Sequence, residues 1–360
     1  MDASIGILAG GTGGHVFPAL AVAQRLRQAG REVFWMGTHQ GLEARLVPQH
    51  GFPMEWIQVS GLRGKGWKRR LSAPWQLSLA LRQARAILKR RQPGLVLGMG
   101  GFVSGPGGLM ARWLGIPLII QEQNRIPGLT NRWLAPFAQQ VFEAFPQSFP
   151  SKVGAIPCGN PVRPEIQALP PPENRDLGAE DRRRRLLVLG GSLGAQVLNE
   201  TLPQALARLP EAQRPQVYHQ AGERTLDLAR AAYDRVGIGA RVVPFIEDMA
   251  EAYGWADLVV CRAGALTVSE LTAAGLGALL IPYPHAVDDH QTANARYLSD
   301  GGAAELLPQS ELNPETLGAM LACLLHESNR LRTMANIARS LALPEADARI
   351  AAACLEHLRP

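Results

Sequence analysis

Apolar residues in this chain fall into short unbroken runs that alternate with stretches repeating every three to four positions. The first run, residues 4–9, shows no polar alternation, the mark of a strand buried on both faces. Residues 16–29 then place Leu20, Val22, Ala23 and Leu26 at helical spacing before Gly30 stops the pattern. The same reading predicts a strand over 31–36, a helix over 77–88, a strand over 95–97, a helix over 109–114 and a strand over 117–121. Such alternation predicts a doubly wound parallel sheet. The pattern lapses over residues 157–172, where prolines crowd, and a charged stretch follows that ends in four arginines, residues 182–185. A linker is placed there, and the arginines read as a phosphate clamp or as a solvated charge run. Leu186-Leu187-Val188-Leu189 restarts the alternation, with strands predicted over 216–220, 242–245, 258–261 and 278–282. The expected fold class is therefore α/β, with two Rossmann-like doubly wound parallel-sheet domains, residues 1–165 and 166–342, facing a central cleft. Two amphipathic helices, 314–326 and 350–358, close the chain.

Composition narrows the class. With 360 residues, 46% of them apolar, the chain is long enough for two cores. Asp2 and an early glycine cluster interrupt the place where a secretion signal needs continuous hydrophobes. The longest charge-free stretch, 94–111, is broken by glycines and Pro106, so no transmembrane helix is expected. The four cysteines, Cys158, Cys261, Cys323 and Cys354, lie far apart, against both a zinc site and a disulfide framework and in keeping with a reducing compartment. Net charge is +6 but uneven: residues 1–165 carry 19 basic against 7 acidic residues, and the remainder 18 against 24. A basic half attracts nucleic acid, acidic substrates or anionic lipid alike, and no interleaved aromatic and basic recognition motif supports nucleic acid.

Three glycine clusters follow apolar runs: Gly10-Gly11-Thr12-Gly13-Gly14-His15, Gly98-Met99-Gly100-Gly101 and Gly190-Gly191-Ser192-Leu193-Gly194-Ala195. A strand that ends in glycines and feeds a helix brings bare N–H groups and a positive helix end up to an anion, although a tight turn alone explains any one cluster. They do not make a nicotinamide site, since the first cluster departs from GxGxxG and the acid nearest the required offset is Glu32. His15, in the first helical turn, is placed where the helix terminus favours a neutral imidazole able to accept a proton; the alternative is a histidine bonded to a neighbouring carbonyl. Glu122-Gln123-Asn124 follows a strand, at the sheet edge where ligands bind in such folds. Arg163, held between prolines, is a candidate diphosphate contact. Cys261-Arg262-Ala263-Gly264-Ala265-Leu266-Thr267-Val268-Ser269-Glu270 runs from a strand end through a glycine turn into a helix, and Glu270 is placed to accept from both ribose hydroxyls. Asp288-Asp289-His290-Gln291 is read as a loop whose amide and imidazole address sugar hydroxyls, with no third ligand spaced to make a metal site.

Taken together, GGTGGHVFPAL, MGGFVSGP, EQN with IPGLTNRWLA, GNPVR, GGSLGA, CRAGALTVSE and DHQTANA resemble the MurG family, from about Ile5 to Ala295 and in order. The resemblance implies a GT-B fold and an inverting transfer of N-acetylglucosamine (GlcNAc) from UDP-GlcNAc to lipid I, which is undecaprenyl-diphosphate-linked N-acetylmuramoyl (MurNAc) pentapeptide. It implies no cofactor, no catalytic metal, and a peripheral place on the cytoplasmic face of the bacterial inner membrane, beside cell-wall synthesis proteins. The first domain becomes the acceptor and membrane-facing half, with the last helix, about 343–360, packing back on it; the second binds the donor. By the same resemblance Thr12, Gly13 and Gly14 line the cleft beside the sugar and diphosphates, His15 is the candidate base with Glu122 as the lesser one, and Asn124 contacts the donor sugar. Arg163 and Ser192 bind the nucleotide side, Ile246 meets uracil through its backbone, Arg262 and residues 264–269 (Gly264, Ala265, Leu266, Thr267, Val268, Ser269) line the donor, Glu270 holds the ribose, and Gln291 bonds sugar hydroxyls. Two positions depart from the family pattern: Gln121 replaces a frequent His before EQN, and Ala263 a usual Ser after CR. The mixture of cations with Trp67, Trp75, Leu77, Leu79 and Leu81 over 64–91 suits an anionic lipid surface; a core helix with a solvated face is the alternative. Rival activities are a UDP-GlcNAc 2-epimerase, a lipid galactosyltransferase, or a UDP-sugar-binding subunit without catalysis.

Overall fold

The computed structural model describes residues 3–59, 67–178, 182–191 and 194–359, with side chains 67–73 and 287 excepted. Ser192 and Lys65 lie outside the described residues. The chain divides into two compact units, one made of residues up to Val162 together with those from Leu343 onward, the other running from Arg163 to Ala342. The division after Val162 puts Arg163 and Glu165 in the second unit.

The first unit carries seven strands: β1 (Ile5–Leu8), β2 (Val33–Gly37), β3 (Met54–Trp56), β4 (Leu95–Gly98), β5 (Leu118–Glu122), β6 (Gln140–Glu143) and β7 (Ile156–Pro157). They pair in parallel in the order β3-β2-β1-β4-β5-β6-β7. Its helices are α1 (Gly13–Gln28), α2 (Glu43–Gln49), α3 (Trp67–Arg91), α4 (Ser104–Trp113) and α5 (Leu129–Leu134). Both faces of the sheet are buried, which is why its strands read as unbroken apolar runs. Ile5, Ile7, Val22 and Leu97 build one layer, and Leu8, Phe34, Leu88 and Ile120 the other. Ile350 and Cys354, near the end of the chain, complete the first of these layers.

The second unit opens with the short α6 (Pro164–Gln167), which turns part of the expected linker into a helix whose first residue is a proline. Six parallel strands follow: β8 (Arg185–Leu189), β9 (Gln216–Gln220), β10 (Arg241–Val243), β11 (Leu258–Cys261), β12 (Ala278–Leu280) and β13 (Ala304–Leu306). They are ordered β10-β9-β8-β11-β12-β13. The helices are α7 (Gln196–Ala207), α8 (Leu226–Arg235), α9 (Met249–Trp255), α10 (Ala265–Ala274), α11 (His290–Ser299), α12 (Pro314–His326) and α13 (Ser328–Ser340). The chain ends with α14 (Ala346–Glu356), which packs on α1 and is tied to it by Arg25 Nε donating to Asp347 Oδ2 at 2.7 Å.

In each sheet the strand order reverses once, between β1 and β4 and between β8 and β11. Open parallel sheets bind ligands at that reversal. It brings the first two glycine clusters side by side, and sets the third beside Arg262-Ala263-Gly264. Gly101 sits at φ 84° so close to the carbonyl of Gly10 that a Cβ would overlap it.

Three expectations change. The helix expected over 109–114 starts at Ser104, because its glycines are packing devices: a Cβ on Gly107 would stand 2.7 Å from Leu8, and one on Gly108 2.6 Å from Leu134. His290 and Gln291 begin α11 instead of lying in a loop, entered through Asp288 and Asp289, both at φ 52°. The arginine run is largely spent inside its own unit. Arg182 pairs with the buried Asp257 at 2.7 Å, Arg184 Nε donates to the Leu325 carbonyl at 2.9 Å, and the Arg185 N–H donates to Asp257 at 2.8 Å.

Candidate functional site

Each unit presents a helix start at its reversal point. In the first, Thr12 takes the N-cap position of α1 in an extended conformation, and no side chain caps the helix. The N–H groups of His15 and Val16 donate to the Thr12 carbonyl at 3.1 and 3.2 Å, so those of Gly13 and Gly14 lie ahead of the helical ladder. No acidic residue falls in the first turn. This end of α1 is therefore positive and open to an anion. The His15 ring lies with Nδ1 3.5 Å from Thr12 Oγ1 and its Cδ2–Nε2 edge against Gly100. Gly100, at φ 93°, has room for nothing larger, since a Cβ would meet the imidazole at 2.6 Å. The second cluster thus accommodates the histidine of the first.

The EQN segment closes this site by a buried network. Gln123 Nε2 donates to Gln121 Oε1 at 2.5 Å and to the Met99 carbonyl at 2.8 Å, Gln121 Nε2 donates to Asn160 Oδ1 at 3.0 Å, and Asn160 Nδ2 donates to the Gln123 carbonyl at 3.1 Å. Gln121 is wholly buried in this network, so the departure from histidine there leaves a structural amide. Glu122 is also committed. Its carboxylate accepts from the N–H groups of Asn124 at 2.9 Å and Gly128 at 3.0 Å and from Asn131 Nδ2 at 2.9 Å, shaping the loop after β5. Glu122 therefore spends its carboxylate on the loop that carries Asn124. Sequence reading missed a further carboxylate, Glu43, which is fully buried behind the first glycine turn. Its one visible signal is that glycines at 10, 37 and 41 all face it.

In the second unit, Gly264 is the extended N-cap of α10, again with no side-chain cap and no acid in the first turn. The Val268 N–H closes the first helical bond to Gly264 at 2.9 Å, which leaves Ala265, Leu266 and Thr267 N–H ahead of the ladder. Val268 points into the core and Ser269 is half-buried. One turn on, Glu270 Oε1 accepts from Arg163 Nη2 at 3.0 Å and Oε2 from the Tyr253 hydroxyl at 3.0 Å. Burial pushes the Glu270 carboxyl above its usual range, while the Arg163 charge and the two hydrogen bonds pull it back. Beside this pair is a cavity of about 400 Å³ lined by Arg163, Glu165, Ile166, Glu247, Asp248, Met249 and Ala250.

Other expected donor contacts are redefined by their partners. The Ile246 N–H already donates to Gln220 Oε1 at 3.0 Å. Arg262 turns away from α10, donating to the Ile281 and Pro282 carbonyls at 3.1 and 3.2 Å and to Gln309 Oε1 at 2.7 Å. It braces the turn before Gly264. Gln291 Oε1 accepts from the Tyr283 N–H at 2.9 Å. In the third cluster Gly194, at φ 77°, fits against Ala221 and Thr225, a packing role.

Comparison with known proteins agrees with this architecture. The glycosyltransferase family 28 N-terminal domain matches residues 5–143 and the family 28 C-terminal domain residues 185–350. A relative from Methylococcus capsulatus, 56% identical over 99% of this chain and 99% of its own, bears the name UDP-N-acetylglucosamine--N-acetylmuramyl-(pentapeptide) pyrophosphoryl-undecaprenol N-acetylglucosamine transferase. A relative from Nitrosococcus oceani with the same name is 58% identical over 97% of each chain. The crystal structure of Acinetobacter baumannii MurG superposes with a TM-score of 0.86 at 42% identity, covering 98% of this chain and 99% of that one. The calicheamicin glycosyltransferase CalG4, at 17% identity and a TM-score of 0.70 over 99% of both chains, shares the fold. With both halves matched and full-length relatives above half identity, the chain belongs to glycosyltransferase family 28 and, within it, to the MurG family of GT-B enzymes.

Proposed function

We propose that this chain transfers GlcNAc from UDP-GlcNAc to the C4 hydroxyl of MurNAc in lipid I, giving lipid II for peptidoglycan synthesis. The observation that carries the reading is the pair of open helix starts, α1 and α10, one at each sheet's reversal point. The reaction has two diphosphates to hold, one in the acceptor and one in the donor. The first start, with His15 beside it, suits the acceptor; the second, with Arg163 and Glu270, suits the nucleotide. In the transfer the acceptor O4 forms a bond to the donor C1 as the C1–O bond to UDP breaks, inverting the anomeric centre. The hydroxyl proton passes to His15, and the charge growing on the diphosphate is met by the N–H groups of Ala265, Leu266 and Thr267 and by Arg163. Glu270 accepts from the ribose hydroxyls when Arg163 turns to the diphosphate, Asn124 and Gln291 address the sugar, and the Ile246 carbonyl faces the base.

Peripheral attachment to an anionic membrane is part of the proposal. Trp75 on α3, Trp113 on α4 and Trp133 on α5 are 70%, 67% and 72% exposed. Helix α4 packs on both α3 and α5, so the three share one side of the first unit. Leu77, Leu109 and Phe137 add apolar surface, and the exposed Arg82, Arg85, Lys89, Arg112 and Arg132 add charge. Arg85 lies over the Trp113 ring at 5.2 Å. Aromatic anchors among cations suit a headgroup layer. This widens the surface read from residues 64–91 to three helices, and among the described residues no helix is long and apolar enough to cross a membrane. The proposed place is the cytoplasmic face of the inner membrane, near cell-wall synthesis proteins, as the family resemblance implies.

Transfer of radiolabelled GlcNAc to a lipid I analogue tests the reaction, with EDTA present. Wild type is expected to transfer, and His15→Ala to lose about 10²- to 10⁴-fold in turnover; binding of the UDP-sugar without transfer would sink the reading, and a near-normal His15→Ala rate would remove the base. Flotation with anionic vesicles at moderate salt should carry the chain upward, and should fail for the triple variant Trp75→Ala, Trp113→Ala, Trp133→Ala; a wild type that stays down contradicts membrane docking. Arg163→Met removes the charge that holds the Glu270 carboxyl down, so that carboxyl rises further in the folded state. A raised carboxylate destabilises once pH exceeds its unfolded value. The variant should therefore match wild type most closely below pH 4.5 and fall progressively under it toward pH 7 in urea unfolding; a deficit independent of pH would contradict the coupling.

A further inference from the structure

Glu43 lies outside the groups assigned to the reaction, yet more of the first glycine turn depends on it than on any other side chain described. It is the first residue of α2, and its carboxylate reaches across to β1 and β2. Oε2 accepts from the Gly11 N–H at 2.8 Å; Oε1 accepts from the Thr38 N–H at 3.0 Å and the Thr38 hydroxyl at 2.9 Å. The Leu42 N–H donates in return to the Gly11 carbonyl at 3.2 Å. The peptide groups on both sides of Gly11 are thus held by the start of α2, with Gly11 itself at φ 95°.

The space for this carboxylate is made by three glycines, two on the approach to α2 and one just after the end of β1, far back in the sequence. A Cβ on Gly10 would stand 2.6 Å from Oε1, one on Gly37 2.8 Å from Cγ, and one on Gly41 would overlap the carboxyl group. Three donors converge on two oxygens, which a carboxylate satisfies and an amide does not, because an amide nitrogen would face one of the donors. A buried negative charge directly behind an anion-binding turn opposes the anion it serves.

We propose that Glu43 is a positioning residue that fixes the turn from Gly10 to Gly14 for the acceptor diphosphate and carries His15 with it; this rests on the acceptor reading of the first unit. Field and geometry predict opposite signs for Glu43→Gln. Loss of the charge alone would tighten acceptor binding, whereas loss of the clamp weakens it.

Steady-state transfer by the full chain, with a lipid I analogue and UDP-GlcNAc varied separately, reads the difference. Glu43→Gln is expected to raise the acceptor KM by about 10- to 100-fold with the donor KM unchanged. Thr38→Val, which removes one donor and no charge, should move the acceptor KM the same way by a smaller factor. Amide hydrogen exchange in Glu43→Gln should quicken over residues 11–15 and stay unchanged in β5 and β6. An acceptor KM that is unchanged or lowered, or a joint rise in both KM values with exchange quickened throughout the unit, overturns the proposal. If Glu43→Gln fails to fold, Thr38→Val decides alone: a selective rise in acceptor KM supports the clamp, and no change overturns it. Failure of wild type to transfer to the lipid I analogue would instead strike the functional reading, while the exchange pattern would still report on the clamp.

Discussion

Backbone N–H groups at the carboxyl edge of a parallel sheet are the constraint on which this molecule turns. Loops there leave the ladder with donors that need partners away from water, and an unmet one costs on the order of 1–3 kcal/mol. The first sheet meets the need with buried carboxylates. Glu43 holds the turns after β1 and β2, Glu122 the loop after β5, and Glu143 the loop after β6, where it accepts from Gln147 and Phe149 N–H at 2.7 and 3.0 Å. Charge-assisted bonds of this type are roughly twice as strong as neutral ones. The start of α1 has no side-chain cap either, and its Gly13 and Gly14 N–H groups stand ahead of the helical ladder. The starts of α4 and α5 are likewise uncapped, but it is the α1 start that has His15 beside it.

The second unit reaches a similar end by other means. Asp257 holds the entry to β8 and β11 from the opposite edge of the sheet, accepting from Gly178 and Arg185 N–H and from Arg182. At the carboxyl edge the chemistry is ionic: Arg163, Glu270 and Tyr253 form a chain whose central carboxylate is strained by burial and relieved by the cation. An arrangement of that kind can exchange partners when a diphosphate and a diol arrive together. The first unit, whose carboxylates are saturated by backbone donors, is fixed by comparison.

Much of this was legible in the residues. Runs such as Leu186-Leu187-Val188-Leu189 announce strands buried on both faces, and the glycine clusters mark the reversal points. Less legible were elements whose signals are shared with something else. Helix α4 is disguised by glycines that exist so that Leu8 and Leu134 can pack against it. Strand β3 has only three residues and β7 two, too few for a period to show. Glu122 reads as a group for substrate because acids at a sheet edge often are, and its loop partners, Gly128 and Asn131, are visible only once the chain has folded back. Glu43 resembles a solvated acid at a helix start; its burial is set in part by Gly10, which lies in a different turn of the chain. Side chains that shape loops and those that touch ligands draw on the same residue types, and only their partners separate them.

On the proposed division of labour, α10 receives the nucleotide and α1 the acceptor. Amide hydrogen exchange of the full chain with and without UDP tests it most directly. Exchange is expected to slow at residues 265–268 and around Glu270, with residues 11–15 unchanged. Protection centred on residues 11–15, with α10 unaffected, would contradict it.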